Sequence, residues 1–339
     1  MSGSDVTREG VQGARPGRDA PVGAFAGRRG RRRGRGEQPM VPEARFSSYY
    51  GRPVLNKPTW KALDIAGYLY LGGLAGASSL LAAGGHATGR PGLARAAKLG
   101  AAGAITLSLG ALVHDLGRPA RFVNMLRVFK PTSPMSMGSW LLAGYAPLTM
   151  AAAAADVTGR CRLVGAAATG GAAVLGPAVA TYTAVLLADT AVPSWHEGYR
   201  ELPFVFAGSA AGAAAGLALL CAPTAQTGPA RRMAVLGVVL ETGAFQLMKR
   251  RMGLAAEPFE RGLPQRLLRA AELLTVGGAA LAARAGRRRG RGLAAAGGAA
   301  LLAGSAALRF GVFHAGVASA EDPKYTVVPQ RERLRARDG

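Results

Sequence analysis

Residues 114–140 read HDLGRPARFVNMLRVFKPTSPMSMGSW. They connect two apolar runs, about 93–113 and 137–157, each long enough to cross a hydrocarbon core about 30 Å thick. This is the one long polar connection in the chain that is not filled with Gly and Ala. It carries Asp115, the basic residues Arg118, Arg121, Arg127 and Lys130, and an amphipathic FVNMLRVF segment. A connector needs only a turn, so this much specified chemistry points to a surface that recognises something.

Working outward, further runs of the same length occur at about 62–84, 163–188, 203–222, 231–248, 267–284 and 292–317. Soluble chains of 339 residues do not repeat such runs. The expectation is an all-α polytopic membrane bundle of about eight transmembrane helices over residues 45–320. A basic N-terminal tail (1–44), disordered by composition, and a C-terminal tail (321–339) flank it. Residues 45–61 read as an extended lead-in, with Pro53 and Pro58 in it and Trp60 suited to the interface. Paired arginines in the tail could suggest an export signal, but no short apolar region with a cleavage site follows. Gly72 and Gly76 form a small-xxx-small face for close helix packing.

The formal charge of +23 would suggest nucleic acid in a soluble protein. Here Lys and Arg lie almost entirely outside the apolar runs, where topology and lipid phosphates account for them, so the expected surroundings are membrane lipid and not nucleic acid. Eight spans put both termini on one face, together with the 114–136, 189–202 and 249–266 loops. That face carries more than twice the Lys and Arg of the other, which slightly favours the cytoplasm. The arginine cluster at 284–291 argues the other way.

Two cysteines, Cys161 and Cys221, cannot ligate an iron–sulfur cluster; they read as small core residues, not as a disulfide. Four histidines leave one bis-histidine haem arithmetically possible, with His114 and His314 the best pair, though His314 is close to its helix end. No zinc spacing, P-loop or dinucleotide fingerprint is present, and no metal site is expected. GRPGLAR at 89–95 reads as a turn, because no strand precedes it.

Polar groups inside a membrane are costly and invite a functional reading. Asp64 and Tyr68 enter the first span, His114 and Asp115 end the second, and Tyr182 and Asp189 share one face of the fourth. All of them fall near one membrane surface. Two tyrosines, three carboxylates and an imidazole at similar depth suit a quinone, which needs an apolar slot, donors at its carbonyls and groups that exchange protons. The bland alternative is an ordinary interface belt of Tyr, Trp and His. A second set, Glu241, Glu272 and Arg309, lies in later spans. Glu272 and Arg309 fall at similar depth and could pair. Glu241 has no basic neighbour by depth, which makes a proton path a hypothesis.

Five segments in order carry a resemblance: YYGRPVLNKPTWK, YLYLGGLAGASSLLAA, the 114–140 stretch, YTAVLLADTAVPSWHE and LRFGVFHAGVASAEDPKYTVVPQR. Together they resemble the NrfD family, the membrane subunits of polysulfide reductase and related electron-transfer complexes, over about residues 46–332. The resemblance implies eight or nine spans, non-covalent menaquinone or ubiquinone, and no haem or iron–sulfur cluster of the chain's own. It implies a four-cluster ferredoxin-type partner linked to a molybdopterin enzyme, docked near the quinone site. It assigns Tyr182 to quinone binding, Glu241 to proton movement, and Asp115, Arg118 and Arg121 to the docking face. Asp64 and His114 match by position only. Trp195 and His196, in the loop after the fourth span, are expected at the same docking face. In many relatives that face is external, against the charge count. Two other readings remain open: a proton- or ion-translocating subunit using Glu241, Glu272 and Arg309, and a plain anchor without a redox site.

Overall fold

The computed structural model describes residues 5–7, 10–12, 54–55, 58–118, 120–285 and 290–337. They fall into two units: Pro58–Ser319, and residues 1–57 with Ala320–Gly339. In the second of these, Asp5–Thr7 (β1) pairs antiparallel with Gly10–Gln12 (β2), and Lys324–Arg337 is helical. The rest of the expected disordered tail and most of the 45–61 lead-in lie outside the described residues.

Every expected apolar run is a helix in the larger unit. In order these are α1 (Ala62–Ala87), α2 (Pro91–Asp115), a short α3 (Ala120–Met125), α4 (Pro134–Thr158), α5 (Arg162–Ala188), a four-residue α6 (Pro193–His196), α7 (Leu202–Cys221), α8 (Gly228–Met252), α9 (Gly262–Arg284) and α10 (Gly290–Glu321). In a membrane the backbone must satisfy its own polar groups, and helices do so within one segment. Six of the long helices are also apolar enough to cross: α1, α2, α4, α5, α7 and α10. Helices α8 and α9 have the length but carry more charge, so the chain is an all-α polytopic bundle with six such spans among the described residues.

Helix α1 packs against α2, α5 and α7, while α4 packs against α2 and α5, and α8 lies between α7 and α9. Close approach depends on missing side chains. A Cβ on Gly76 would collide with the Gly176 carbonyl of α5, so the two backbones touch where a larger residue would force them apart. Polar ties sort the helix ends into two groups. Asp64 at the start of α1 meets His114 at the end of α2, and Arg251 near the end of α8 meets Glu201 before α7. At the opposite end, Lys98 near the start of α2 meets Asp156 near the end of α4. Arg291 of α10 reaches the carbonyls of Leu220 and Ala222 there.

The expectation that both cysteines are core residues is corrected. Both are free and exposed, because Cys161 sits at the N-cap of α5 and Cys221 ends α7, outside the packed middle.

Candidate functional site

Asp64 lies in the first turn of α1, and Tyr68 follows one turn later on the same face. The Asp64 Oδ2 is 2.9 Å from His114 Nδ1, joining the start of α1 to the end of α2. Exposure differs sharply across this pair: the Asp64 side chain is 11% accessible and that of His114 67%. A carboxylate inside the bundle is therefore wired to an imidazole outside it. Behind Asp64, Tyr68 is buried and meets the ring of Tyr182 edge-on, with centroids 6.5 Å apart and planes at 77°.

Tyr182 sits at a gap made by Gly138. A Cβ there would lie 2.4 Å from Cε2 of the tyrosine ring, so only glycine lets α4 run past it. The Tyr182 hydroxyl is buried and has no hydrogen-bond partner among the described residues. Leaving a buried hydroxyl unpaired costs about 1–3 kcal/mol, so such groups call for a reason. Asp189, seven residues on, is exposed at the C-cap of α5 and stands apart from this group.

The 114–136 loop is built by its own motif residues. Gly117 takes the left-handed turn at φ 68°, and Arg121 donates to the Leu116 carbonyl at 3.1 Å. Ser136 Oγ donates to the Val128 carbonyl at 2.9 Å and accepts from Lys130 N at 3.0 Å. Trp140 Nε1 donates to the same Val128 carbonyl at 3.2 Å and stacks edge-on with Phe129. The loop so pinned holds Arg118, Arg121, Arg127 and Lys130 exposed beside exposed Val123, Val128 and Phe129. Asp115 is half-buried at its start.

The second polar set is arranged differently from its expectation. Arg309 is fully buried, donates to the Phe206 carbonyl at 2.9 Å, and lies 3.6 Å over the Phe206 ring. Its Nε and Nη1 have no hydrogen-bond partner among the described residues. Glu272 is exposed, and the two form no ion pair, so the expected Glu272–Arg309 pairing is corrected. The carboxylate whose field reaches Arg309 is Glu241. Glu241 is buried, accepts a long 3.4 Å contact from Thr275, and borders a crevice of about 380 Å³ between α8, the 253–260 segment and α9. Thr242, Gln246, Lys249, Gln265 and Glu272 also line it, which is why these two helices are the less apolar ones.

Most, but not all, of these positions fall inside a family match. The family model described as polysulphide reductase, NrfD, matches residues 54–262, more than half of the chain. The chain belongs to the NrfD family. It is thus a multi-pass membrane protein of the kind that serves polysulfide reductase and related complexes. No curated protein matches it. Within the NrfD match lie Asp64, Tyr68, His114, the 114–136 loop, Tyr182, Asp189 and Glu241. Glu272, Arg309 and the last of the five resembling segments lie beyond its end.

Two residues expected at the docking face part company. His196 is exposed, with Nδ1 3.0 Å from the Ala188 carbonyl. Trp195 is fully buried: it stacks on Trp60 at 5.9 Å, packs on Phe313, and donates to the Val312 carbonyl at 2.9 Å. It fastens the loop to α10 and offers a partner no surface, which corrects that expectation. Trp60 accordingly stacks on protein.

Three features escaped the sequence reading. Arg251 makes two 2.7 Å bonds to the Glu201 carboxylate and also reaches the Glu197 carbonyl. These bonds hold the Glu201 carboxyl below the usual carboxylate range and raise the Arg251 guanidinium. Tyr145 and Ser79 share a 2.6 Å bond deep in the bundle. Lys98, a cation within an apolar run, is paired with Asp156; their matching depth was a usable signal.

Proposed function

We propose that this NrfD-family chain is the quinone-reactive subunit of a membrane oxidoreductase, exchanging electrons between the quinone pool and a peripheral iron–sulfur subunit. Through that subunit it would serve a molybdopterin enzyme. The observation that carries the reading is the Tyr182 hydroxyl: buried, unpartnered, on a ring that meets Tyr68 edge-on, with Tyr68 one helical turn from Asp64 of the Asp64–His114 pair. A quinone carbonyl is an acceptor that would satisfy it, so the residues present fit menaquinone or ubiquinone. When bound, such a ring supplies a two-electron, two-proton couple.

The chain's own contribution follows from its geometry. Tyr182 would donate its hydroxyl hydrogen to a carbonyl oxygen and so orient the ring, with Tyr68 edge-on beside it. Asp64 takes or gives a proton within the bundle, and His114 relays it between Nδ1 and the outside. Proton exchange then needs no opening of the helices. Asp189, exposed at the C-cap of α5 and apart from these groups, adds a carboxylate at the surface. Asp115, Arg118, Arg121 and His196, with the apolar loop surface beside them, form the docking face for the iron–sulfur subunit.

The test uses the assembled complex. Tyr182→Phe and Asp64→Asn should both slow quinol-linked turnover, and Tyr182→Phe alone should lower retained quinone. Unchanged turnover in both variants would sink the reading.

One observation favours a second reading, a proton-translocating subunit: the crevice that leads from Lys249 and Glu260 to buried Glu241, with Arg309 behind it. In that reading Glu241→Gln slows coupled proton uptake, and unchanged rate and stoichiometry remove it.

A further inference from the structure

At the end of the bundle away from His114, a second crevice of about 430 Å³ opens between the end of α1, the start of α2, the end of α4 and the start of α5. Its charged lining is His86, Arg90, Lys98, Asp156 and Arg162. Lys98 is 7% exposed at its side chain, with Nζ 3.0 Å from Asp156 Oδ1. Arg95 Nε approaches the other oxygen of the same carboxylate at 3.7 Å. One carboxylate thus serves two cations. Arg90 and Arg162 have no ion pair among the described residues, so the lining keeps a positive excess.

The backbone around the crevice is shaped for close approach. Gly89 and Gly159, at φ 65° and 67°, turn the chain on its two sides. Cys161 also adopts a left-handed φ of 50°, alone in this among the described residues other than glycine. Such a conformation is a small strain that the surrounding structure must hold. It starts α5 with no side-chain cap, leaving the first amides of that helix and its positive dipole end at the crevice edge. In α2 the Leu93 amide is capped by Gln226 Oε1 at 3.1 Å, so the anion-accepting end belongs to α5.

We propose that this crevice binds a phosphate group, gripped by the guanidinium groups of Arg90 and Arg162 and backed by Lys98 and the start of α5. Guanidinium forks match phosphate oxygens, and the buried Lys98–Asp156 pair fixes the wall against which the group sits. Helix ends of spanning length lie at the level of lipid phosphates. The same chemistry is offered by an anionic phospholipid headgroup or by free phosphate, and the volume leaves room for a glycerol backbone. Nothing in this inference depends on the quinone reading. The GRPGLAR turn, unfit as a nucleotide loop, supplies Arg90 to a site of another kind.

The test compares the full-length chain with Arg90→Gln/Arg162→Gln, and with Arg231→Gln/Arg232→Gln as a control for charge lost elsewhere at this end. Each is purified in detergent, and retained cardiolipin and phosphatidylglycerol are counted by native mass spectrometry. Inorganic phosphate binding to delipidated protein is measured in parallel. A tenfold or larger drop in retained anionic lipid in the first variant only supports the site with a lipid as its source. Unchanged lipid with phosphate binding lost in that variant supports the site with free phosphate as its source. If neither quantity differs from the control while all three proteins melt at similar temperatures, the proposal is overturned. A first variant that melts early is replaced by Arg162→Lys, which keeps charge but loses the fork; retention equal to the unaltered chain then overturns the proposal, and reduced retention supports it.

Discussion

His114 Nδ1 lies 2.9 Å from Asp64 Oδ2, and the two side chains differ about sixfold in exposure. The imidazole belongs to the end of α2 and the carboxylate to the start of α1, so the pair bridges two helices while it connects inside to outside.

Removing the outer half should therefore impair proton exchange and leave the bundle standing. His114→Ala is expected to slow quinol-linked turnover by about 100-fold, the usual scale for a lost general acid–base group. Its melting temperature should stay close to that of the unaltered chain, because the side chain is mostly exposed. Steady-state turnover of the assembled complex, with thermal unfolding beside it, checks this.

Gly138→Ala should act on the same site without touching a polar group. The new methyl would overlap the Tyr182 ring, at 2.4 Å from Cε2. Overpacking of this kind costs about 1–3 kcal/mol and displaces the ring. The expected outcome is a lower melting temperature together with weaker quinone retention, measured on one preparation.

The Arg251–Glu201 tie gives a pH dependence with a definite sign. Glu201 titrates below its ordinary range because Arg251 donates two bonds to its carboxylate. Its contribution is fully present above the ordinary carboxylate range and is lost as pH falls through the lowered value. Glu201→Gln should destabilise the bundle at pH 7 by about 2 kcal/mol, the scale of hydrogen bonds to a charged group. That difference should shrink in acid, below the usual carboxylate range. Melting curves of both proteins from pH 7 to pH 3 test it.

The two cysteines lie at the Lys98 end of the bundle and are exposed. With the His114 end in the cytoplasm, as the charge distribution favours, a membrane-impermeant maleimide added to intact cells should label both. Labelling of neither until the cells are opened would reverse the orientation.

Depth in the membrane was legible in the sequence, and direction around each helix was not. Eight apolar runs became eight long helices with ends displaced by at most about five residues, since a run of about 20 apolar residues has few other fates. Depth alone also groups Asp64, Tyr68, His114, Asp115, Tyr182 and Asp189; of these the fold joins Asp64 to His114 and Tyr68 to Tyr182, and leaves Asp189 exposed and apart. Depth failed for Glu272 and Arg309: Arg309 turns inward to Phe206, while Glu272 is exposed on α9. Trp195 is expected at the docking face only from its place in the loop after the fourth span. Its pocket depends on Gly316, where any Cβ would overlap the indole, and a contact that distant in sequence leaves no local mark. The motif glycine and serines at 133–139 were visible as a pattern, but their separate jobs needed the folded loop.

The central claim is that the buried Tyr182 hydroxyl receives a quinone carbonyl. The most direct measurement is quinone extracted per mole of purified chain, in the unaltered protein and in Tyr182→Phe. The expected result is about one quinone per chain in the first and at least a tenfold loss in the second, with no change in melting temperature. Equal quinone in both, or none in the unaltered protein purified from quinone-replete membranes, would contradict it.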